Sequence, residues 1–511
     1  MAPLARSLVF IGFMGAGKSN AARAAAEALG AAAVDTDKLL QAELGGSIAE
    51  FFDAQGEAAF RAREEELVVG VLERAGGEPV ALGGGSLGSG RVRAALERHT
   101  AVLLDVDAAT AWERAGAGTR PLARDRAAFE TLHAQRAALY EAAADAIVPA
   151  SRAAVARALP ALRALGEAPA GTRLVWATSA SGDYPVHVGE GLLGSGFWPR
   201  AGRRFCVTDA TVAELYGAAV EPLAGRIVLA PGEESKTIAS AEAVWNSLAA
   251  QGMARGDDIV ALGGGVVGDL AGFCAATYQR GMPVIHVPTT VVAQVDSAYG
   301  GKTGVDLPEA KNYVGAFHQP AAVLVDPAAL ATLPPAELAA GRAEVIKTAL
   351  IAGGPLWERV RAGGGEGPPD AAVVLACART KLAVVAEDER DDGRRQALNL
   401  GHTVGHAIEV AAGYGRLRHG EAVALGLLAA LRLSGREDLR TEVRDLLQAS
   451  SLPVTLAPGV GTDAVLAAVQ RDKKRREGTV GFVLVDGPGE VRTGCPVPAD
   501  DVRAAVEELR R

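Results

Sequence analysis

The sequence predicts two consecutive α/β segments followed by a mostly helical one. Short apolar runs alternate with helical stretches as far as about residue 327, and helical patterns dominate beyond it. At 511 residues the chain is also longer than one hydrophobic core usually supports. We therefore predict domains at residues 1–168, 173–327 and 328–511, because the stretch 165–172 has the glycine and proline content of a linker.

The first segment begins with an apolar run, a glycine-rich turn and a helix. Leu8–Ile11 predicts a buried strand and Lys18–Leu29 a helix, and the runs 80–82 and 101–106 predict further parallel strands. The turn, GFMGAGKS at 12–19, matches GxxxxGK[ST]. In this motif backbone amides surround phosphate oxygens at the positive end of a helix. The segment is thus predicted to be a P-loop domain with a parallel sheet that binds ATP with Mg²⁺.

The second segment predicts seven short strands, at 174–176, 185–188, 205–208, 226–230, 258–262, 284–287 and 322–325. The fifth leads into GGGVVGD at 263–269, which formally contains GxGxxG directly after a strand. A single turn of this kind is weak evidence for a Rossmann-like dinucleotide site. From about Pro327 onward we predict helices, interrupted by glycine and proline near 353–355 and 363–369.

Composition excludes several classes of function. A formal net charge of −9 argues against a nucleic-acid partner. The apolar stretches end well before the roughly 20 residues that a membrane helix requires, so no membrane partner is predicted. The four cysteines contain no CxxC pair, which argues against disulfides and favours a reducing, cytoplasmic location. The N-terminal apolar run is interpreted as a nucleotide-binding strand and not as a secretory leader.

The scarcity of lysine marks candidate functional positions. Of 52 basic residues only nine are lysines, at positions 18, 38, 236, 302, 311, 347, 381, 473 and 474. A lysine that remains is enriched for sites that need a compact ammonium group on a flexible stem, which the planar guanidinium cannot replace. Chance retention is the alternative for any single one, and Lys38 lies in no recognisable motif.

Histidines and a glutamate mark the helical segment. His402 and His406 stand four residues apart on one face of a predicted helix, and an HGE motif begins at His419. Upstream, Glu344 places a carboxylate three residues before Lys347. From chemistry alone the pair His402 and His406 is the first candidate for zinc, and a histidine face without metal is the alternative.

Residues 1–165 resemble the shikimate kinases. The resemblance rests on the phosphate loop and on DTD at 35–37, FR at 60–61, LGGG at 82–85, RPL at 120–122 and Arg136 within QRAALY. It implies an ATP site whose residues are Gly15, Ala16, Gly17, Lys18, Ser19, Asn20 and Arg120. It also implies that Ser19 and, through water, Asp35 hold Mg²⁺. Asn20 replaces the threonine that more usually follows the serine.

The same resemblance implies a shikimate site formed by Asp37, Arg61, Gly84 and Arg136. The two arginines would clamp the substrate carboxylate, since paired guanidinium forks suit a planar anion. The implied catalytic residues of this half are Lys18, Asp37 and Arg120; the aspartate orients or deprotonates the attacking hydroxyl, and Arg120 stabilises charge that develops during transfer. Gluconate kinase-like enzymes are the nearest alternative, but the GGG run and the paired arginines favour a ring carboxylic acid.

The rest of the chain resembles 3-dehydroquinate synthase. Its most specific stretches are PTTVVAQVDSAYGGKTGVDLPEAKNYVGAFHQP at 288–320 and LNLGHTVGHAIE at 398–409, which is followed by HGEAV. The resemblance implies that Glu344, His402 and His419 bind Zn²⁺, with Co²⁺ as an alternative, and that positions stay open for substrate. His406 is then a substrate-facing proton relay instead of a ligand.

The resemblance also implies sites for NAD⁺ and for 3-deoxy-D-arabino-heptulosonate 7-phosphate. The implied NAD⁺ contacts are Asp209, Glu233, Lys236, Gly264, Gly265, Val266, Asp269, Thr289, Thr290, Lys302, Lys311, Thr332 and Leu333. The substrate is expected in a cationic pocket, because it carries both a carboxylate and a phosphate. The implied substrate contacts are Arg280, Asp296, Lys302, Asn312, Lys347, Lys381, Arg395, Asn399, His406 and either Lys473 or Lys474. The implied catalytic residues of this half are Lys302, Lys347 and His406.

Two positions depart from this family. Tyr299 stands where the family usually has a small or aliphatic residue, and Asp391 stands where glutamate is commoner. The first change is expected to reshape the pocket wall. The second shortens a carboxylate by one methylene and keeps its charge.

Together the resemblances imply a bifunctional enzyme of aromatic amino acid biosynthesis. The first half would phosphorylate shikimate from ATP, and the second would form 3-dehydroquinate, with NAD⁺ transiently taking a hydride while phosphate is eliminated. The alternatives for the second half are another sugar-phosphate cyclase, a metal-dependent polyol dehydrogenase or a non-catalytic module. Small-molecule substrates are the expected partners, and family resemblance implies a homodimer formed through the second half.

Overall fold

The computed structural model describes residues 6–115, 125–308, 310–363, 367–413, 415–475 and 481–510. The chain divides into two units: Met1–Ala177 with Pro185–His187, and Thr178–Tyr184 with Val188–Arg511. The predicted fold class, an α/β chain with a mostly helical part towards its end, is confirmed.

The first unit is a parallel sheet with flanking helices. Its strands are β1 (Leu8–Ile11), β2 (Val34–Asp35), β3 (Val80–Ala81), β4 (Thr100–Asp105), β5 (Ala146–Pro149) and β6 (Arg173–Ala177). Its helices are α1 (Lys18–Leu29), α2 (Thr36–Leu44), α3 (Ile48–Arg74), α4 (Gly90–Leu96), α5 (Ala108–Ala115), α6 (Arg126–Ala143) and α7 (Arg152–Ala164). The strands are parallel and lie in the order β2-β3-β1-β4-β5-β6. The turns after β1 and β3 therefore lie at the same carboxyl edge, which is where open α/β sheets bind ligands.

Strand β6 lies in the first unit, although the sequence analysis assigned residues from 173 onward to the next domain. It pairs in parallel with β5, with Ala146 opposite Leu174 and Ile147 opposite Val175. A local apolar run predicts that a strand forms but does not identify the strand beside it. The domain boundary predicted at 165–172 stays a prediction.

The second unit contains a parallel sheet of order β14-β11-β10-β8-β9. Its strands are β8 (Arg204–Asp209), β9 (Gly225–Leu229), β10 (Asp258–Gly263), β11 (Val284–Pro288) and β14 (Ala322–Val325), while β7 (Tyr184–Val188) has residues in both units. Helices α8 (Ala210–Tyr216), α9 (Ile238–Ala250) and α10 (Gly265–Thr277) connect them. An antiparallel hairpin, β12 (Lys302–Leu307) and β13 (Ala310–Phe317), was not predicted, although it lies inside the most specific motif.

The chain beyond β14 is mainly helical, as predicted. The helices are α11 (Pro335–Ala352), α12 (Gly354–Ala362), α13 (Ala371–Glu387), α14 (His402–Ala412), α15 (His419–Leu433), α16 (Glu437–Ala449), α17 (Thr462–Arg475) and α18 (Ala499–Glu508). A second unpredicted hairpin, β15 (Phe482–Gly487) and β16 (Glu490–Cys495), precedes α18. Among the residues that the structure describes, no helix combines the length and the hydropathy needed to cross a membrane.

Acid should destabilise the second unit through His286 on β11. This histidine is 5% exposed, and burial, helped by the nearby charge of His318, lowers its pKa from 6.5 to about 4. The folded protein favours the neutral imidazole. The contribution of His286 to the free energy of unfolding is therefore fully present above pH 6.5. It is lost as the pH falls towards 4, by at most about 1.4 kcal/mol per pH unit. We expect the urea midpoint to fall between pH 7 and pH 5, and to fall less in His286→Leu. An equal fall in both proteins would contradict this assignment.

Candidate active sites

The phosphate loop of the first unit has the backbone shape that an anion site requires. Gly12, Gly15 and Gly17 have φ values of 135°, 84° and 82°. A Cβ on Gly15 would lie 2.3 Å from the carbonyl oxygen of Ala111, so only glycine fits there. Lys18 Nζ donates to the Gly12 oxygen at 2.9 Å and to the Phe13 oxygen at 3.1 Å, which holds the ammonium group over the loop.

Three of the four predicted shikimate residues line one cavity near this loop. The cavity, of about 510 Å³, is lined by Arg61, Gly84 and Arg136 among others. Arg136 Nη1 donates to the Gly84 oxygen at 3.0 Å. A Cβ on Gly84 would lie 3.6 Å from Lys18 Nζ, and one on the preceding glycine would lie 2.7 Å from Asp37 Oδ1. The structure thus brings the nucleotide lysine, the acid and both arginines to the same glycine run.

Two residues that the sequence analysis missed hold the arginines in place. Glu64 is 5% exposed and accepts from Arg61 Nη1 at 2.6 Å and from Ser86 Oγ at 2.9 Å. Tyr140 Oη donates to the Gly84 oxygen at 2.5 Å, on the carbonyl that Arg136 also contacts. Glu64 lies three residues after Arg61, and Tyr140 lies four residues after Arg136. This helical spacing could have identified both residues from the sequence.

Two further predicted kinase residues, Asp35 and Asn20, make local contacts within their own helices. Asp35 caps α2 by accepting from Lys38 N at 3.3 Å. The Asn20 side-chain oxygen accepts from Arg23, on the exposed face of the first turn of α1. Arg120 lies outside the described residues.

Three helices bring the predicted metal ligands together in the second unit. Glu344 lies on α11, while His402 and His419 are the first residues of α14 and α15. Glu344 Oε1 lies 3.2 Å from His419 Nε2 and 3.5 Å from His402 Nε2. Ligand atoms bound to a tetrahedral zinc ion at about 2.1 Å are about 3.4 Å apart. The donor set and its spacing therefore fit a zinc-sized divalent ion.

Groups around these ligands fix their rings. His402 Nδ1 lies 3.2 Å from the Leu400 oxygen, which directs Nε2 towards Glu344, and burial lowers the pKa of His402 to about 3. His419 Nδ1 lies 3.6 Å from Glu409 Oε2. Burial opposes the charged form of His419, but hydrogen bonds to Glu344 and Glu409 raise its pKa to about 10. Glu409 was quoted in the motif without a role, and its position seven residues after His402 was the available signal.

The distances between the histidines also allow His406 to be a metal ligand. The ligand atoms of His402, His406 and His419 all lie within 4.8 Å of one another. The prediction that His406 faces substrate while Glu344 completes the metal set stays a prediction.

Close contacts of α15 with two other helices position this set. A Cβ on Gly420 would lie 1.8 Å from the Ala340 oxygen of α11, and one on Gly426 would lie 1.9 Å from the Gly401 oxygen that precedes α14. Backbones can approach this closely only where a side chain is missing. Gly420 follows His419 directly, so the contact seats that histidine beside α11.

A buried ion cluster lies next to the ligands. Lys347 Nζ is 2.5 Å from Glu344 Oε2 and 2.8 Å from Asp296 Oδ2, and Lys381 also pairs with the Asp296 carboxylate. Lys347 is 1% exposed. Burial would raise the pKa of Asp296, but Lys347 and Lys381 outweigh it and lower this pKa to about 2. The carboxylate is therefore ionised and bridges the two ammonium groups.

The other predicted substrate residues differ in the contacts that they make. Lys302 Nζ lies 2.5 Å from Asp391 Oδ2. Arg395 is 1% exposed and donates to the Gly300 oxygen at 2.9 Å, so backbone groups already engage its guanidinium. Arg280, with a φ of 66°, lies in the turn after α10, and none of the described ion pairs joins it to the cluster. Asn399 ends the short helical turn before α14, and the side chains of Lys473 and Lys474 lie outside the described residues.

The predicted NAD⁺ turn lies where the strand order of the second sheet reverses. The chain runs outward from β8 to β9 and returns to β10 on the other side of β8. Helix α10 begins at Gly265, with Val266 in its first turn, and a Cβ on Gly264 would lie 2.9 Å from Thr290 Cγ2. Asp209 ends the neighbouring β8 and caps α8. These predicted residues thus share the crevice that a dinucleotide would use.

Residues from three separate segments meet at the Lys236 ammonium group. Lys236 Nζ donates to Asp269 Oδ2 and to Asn312 Oδ1, both at 2.5 Å. Burial lowers the pKa of Lys236, but the charge of Asp269 outweighs it, so the pKa is raised and the group stays cationic. Lys311 Nζ lies 3.7 Å from Glu233 Oε1 in the same region.

The last predicted NAD⁺ residues lie at strand ends. Thr289 follows β11, and its amide donates to the Gly263 oxygen at 3.0 Å. Thr332 and Leu333 follow β14 through a short helical turn, where Thr332 Oγ1 lies 2.7 Å from Tyr216 Oη.

Comparison with known proteins identifies the families to which the two parts of the chain are similar. The shikimate kinase family matches residues 14–163, and the N-terminal and C-terminal families of 3-dehydroquinate synthase match residues 226–340 and 341–475. A 3-dehydroquinate synthase of Symbiobacterium thermophilum is 43% identical over 352 residues, which cover 64% of this chain and 98% of that protein. The chain belongs to the 3-dehydroquinate synthase family and carries a shikimate kinase domain.

Two solved structures of other synthases resemble the synthase part. A 2-deoxy-scyllo-inosose synthase complexed with carbaglucose-6-phosphate, NAD⁺ and Co²⁺ is 27% identical, with a TM-score of 0.59 over 66% of this chain and 99% of that one. A 2-epi-5-epi-valiolone synthase of Streptomyces hygroscopicus with NAD⁺ and Zn²⁺ bound is 29% identical, with a TM-score of 0.60 over 65% and 99%.

The structure explains one departure from the synthase family and relocates the other. Asp391 has a φ of 67°, a left-handed conformation in which aspartate is enriched, and it still reaches Lys302. Tyr299 has 0% exposure, and its hydroxyl is bonded within the core. It therefore packs in the core, and its effect on the shape of the pocket wall stays a prediction.

Gly420→Ala should separate α15 from α11 and weaken metal binding. Since the new Cβ would lie 1.8 Å from a backbone oxygen, we expect zinc affinity to fall about tenfold or more and stability to fall by about 2 kcal/mol. Competition with a chromophoric chelator measures the first, and urea unfolding measures the second. Gly459→Ala is the control, because its Cβ would meet nothing within 4 Å. Unchanged zinc affinity in Gly420→Ala would contradict this role of the contact.

Proposed function

We propose that the chain is a bifunctional enzyme of the shikimate pathway, which leads to the aromatic amino acids. The kinase domain phosphorylates shikimate to shikimate 3-phosphate with ATP. The synthase part converts 3-deoxy-D-arabino-heptulosonate 7-phosphate to 3-dehydroquinate and phosphate. The observation that carries this proposal is the presence of two separate sites, each with its own set of family residues, in a chain that both families match.

In the kinase site the residues supply positioning and charge. Lys18 Nζ lies over the phosphate loop, where it can contact the β- and γ-phosphates of ATP with Mg²⁺ at Ser19. Arg61 and Arg136 face the cavity and suit the shikimate carboxylate. Asp37, beside the same glycine run, accepts the proton of the attacking hydroxyl.

In the synthase site the residues present suit a metal, a dinucleotide and a doubly anionic sugar acid. When bound at Glu344, His402 and His419, Zn²⁺ or Co²⁺ supplies Lewis acidity towards vicinal hydroxyls, and NAD⁺ supplies a reversible hydride acceptor. Lys347 Nζ, held as an ammonium group by acids on two sides, donates to substrate oxygens. We assign the proton relay to His406, whose ring centroid lies 5.1 Å from that of His402.

The related cyclases supply the alternative for the synthase part. The 2-deoxy-scyllo-inosose synthase is complexed with carbaglucose-6-phosphate, and both structures resemble this one. The 43% identity to a 3-dehydroquinate synthase and the fused kinase domain favour the heptulosonate. A homodimer formed through the synthase part and a cytoplasmic location are further parts of this proposal.

The two activities should be lost independently. Lys18→Ala should lower shikimate phosphorylation about a hundredfold or more, because it removes a charge that the transferring phosphoryl group needs, and should leave phosphate release from the heptulosonate unchanged. His419→Ala should do the reverse. Coupled assays of ADP and of phosphate on the same preparations measure both.

Metal removal provides the control for this experiment. Dialysis against a chelator followed by assay in excess Mg²⁺ should stop the synthase and spare the kinase, and added Zn²⁺ or Co²⁺ should restore the loss. If either substitution silenced both reactions in a folded protein, independence of the sites would be wrong.

A further inference from the structure

Tyr299 is bonded to a short π-helical turn. The turn spans Ala293–Ser297, and Tyr299 follows it with 0% exposure. The Tyr299 hydroxyl donates to the backbone oxygen of Gln294 at 2.6 Å. Burial raises the pKa of Tyr299 well above its usual value, so the hydroxyl keeps the proton that it donates.

The π turn creates the acceptor that this hydroxyl uses. In an α-helix the amide of Ala298 would donate to the Gln294 oxygen, four residues earlier. Here Ala298 N donates to the Ala293 oxygen at 3.2 Å instead, and Tyr299 N donates to the Asp296 oxygen, also at 3.2 Å. An unpaired buried carbonyl is costly, and a small or aliphatic residue at 299 would not provide this donor.

The same turn carries the acid at the centre of the ion cluster. Asp296 receives Lys347 on one carboxylate oxygen and Lys381 on the other, and Lys381 also donates to the Asp296 backbone oxygen at 2.8 Å. The Gln294 side chain donates to the Pro288 oxygen at 3.1 Å and so ties the turn to the end of β11. π turns of this kind are frequent at functional sites.

We propose that Tyr299 is a positioning residue whose hydroxyl fixes the π turn, so that Asp296 is held between Lys347 and Lys381 during turnover of the synthase. This inference rests on the proposed synthase function and adds a residue to that site. The tyrosine at position 299 is then a feature of how this chain builds its site.

Tyr299→Phe tests the role of the hydroxyl while the ring keeps its buried space. We expect kcat/KM for the heptulosonate phosphate to fall about fivefold to tenfold, the effect of one lost hydrogen bond. Shikimate phosphorylation by the same chain should not change. The matched control is Ser450→Ala, since Ser450 is buried and its hydroxyl donates to the Leu446 oxygen of α16 at 2.8 Å. The control should lose comparable stability in urea without losing synthase activity.

A double-mutant cycle separates positioning from general stability. In an Asp296→Asn background, Tyr299→Phe should change kcat/KM less than about twofold, because the two residues act through one group. If Asp296→Asn turns over too slowly for kinetics, the same cycle can be built from binding affinities. Calorimetry would then measure the affinity of each zinc-stripped protein for the heptulosonate phosphate. Equal effects of Tyr299→Phe in both backgrounds, or an effect no larger than that of Ser450→Ala, would overturn the inference. Absence of turnover by the unaltered chain would instead overturn the proposed synthase function.

Discussion

The synthase site depends on how closely helix α15 approaches two other helices. Gly420 and Gly426 meet the backbones of α11 and of the turn before α14, where added Cβ atoms would lie 1.8 and 1.9 Å from carbonyl oxygens. Because Glu344, His402 and His419 lie on these three helices, the contacts set the ligand spacing. The metal set is thus a consequence of helix packing, and the positions that permit the packing carry no side-chain chemistry.

The described lysines in the same region form ion pairs with carboxylates and do not form a patch of unpaired positive charge. Lys236, Lys302 and Lys347 each lie 2.5 Å from a carboxylate, and Lys381 shares Asp296 with Lys347. Lys236 and Lys347 are buried, whereas Lys302 is exposed. Buried ammonium groups need such partners, because the desolvation of an isolated ion is costly. The cations that are predicted to contact an anionic substrate are therefore already ordered by carboxylates. The cationic pocket predicted from the lysines is correspondingly less positive than their number indicates.

The kinase site follows the same principle with other residues. The arginines expected to clamp the substrate are held by Glu64 and by the carbonyl of Gly84, which Tyr140 also contacts. In both sites, side chains to which the resemblance assigned no role hold the residues that are predicted to contact the ligand. In the kinase these side chains lie three or four residues after the arginines, which is the spacing of neighbours on one helix face. In the synthase Tyr299 lies after a π turn, which the local sequence does not predict.

Apolar periodicity and glycine spacing are local properties of the chain, and they were sufficient to predict the fold class, most strands and the phosphate loop. The sequence also indicated the families of both halves, through the resemblance of longer motifs. It left both hairpins, the place of β6 and the partners of the lysines undetermined, since these depend on contacts between segments far apart in sequence. Family resemblance supplied Glu344 as a metal ligand, and only tertiary structure brought it within 3.2 Å of His419. Tertiary structure also decided that Tyr299 lies in the core, because burial is settled by packing and not by residue type.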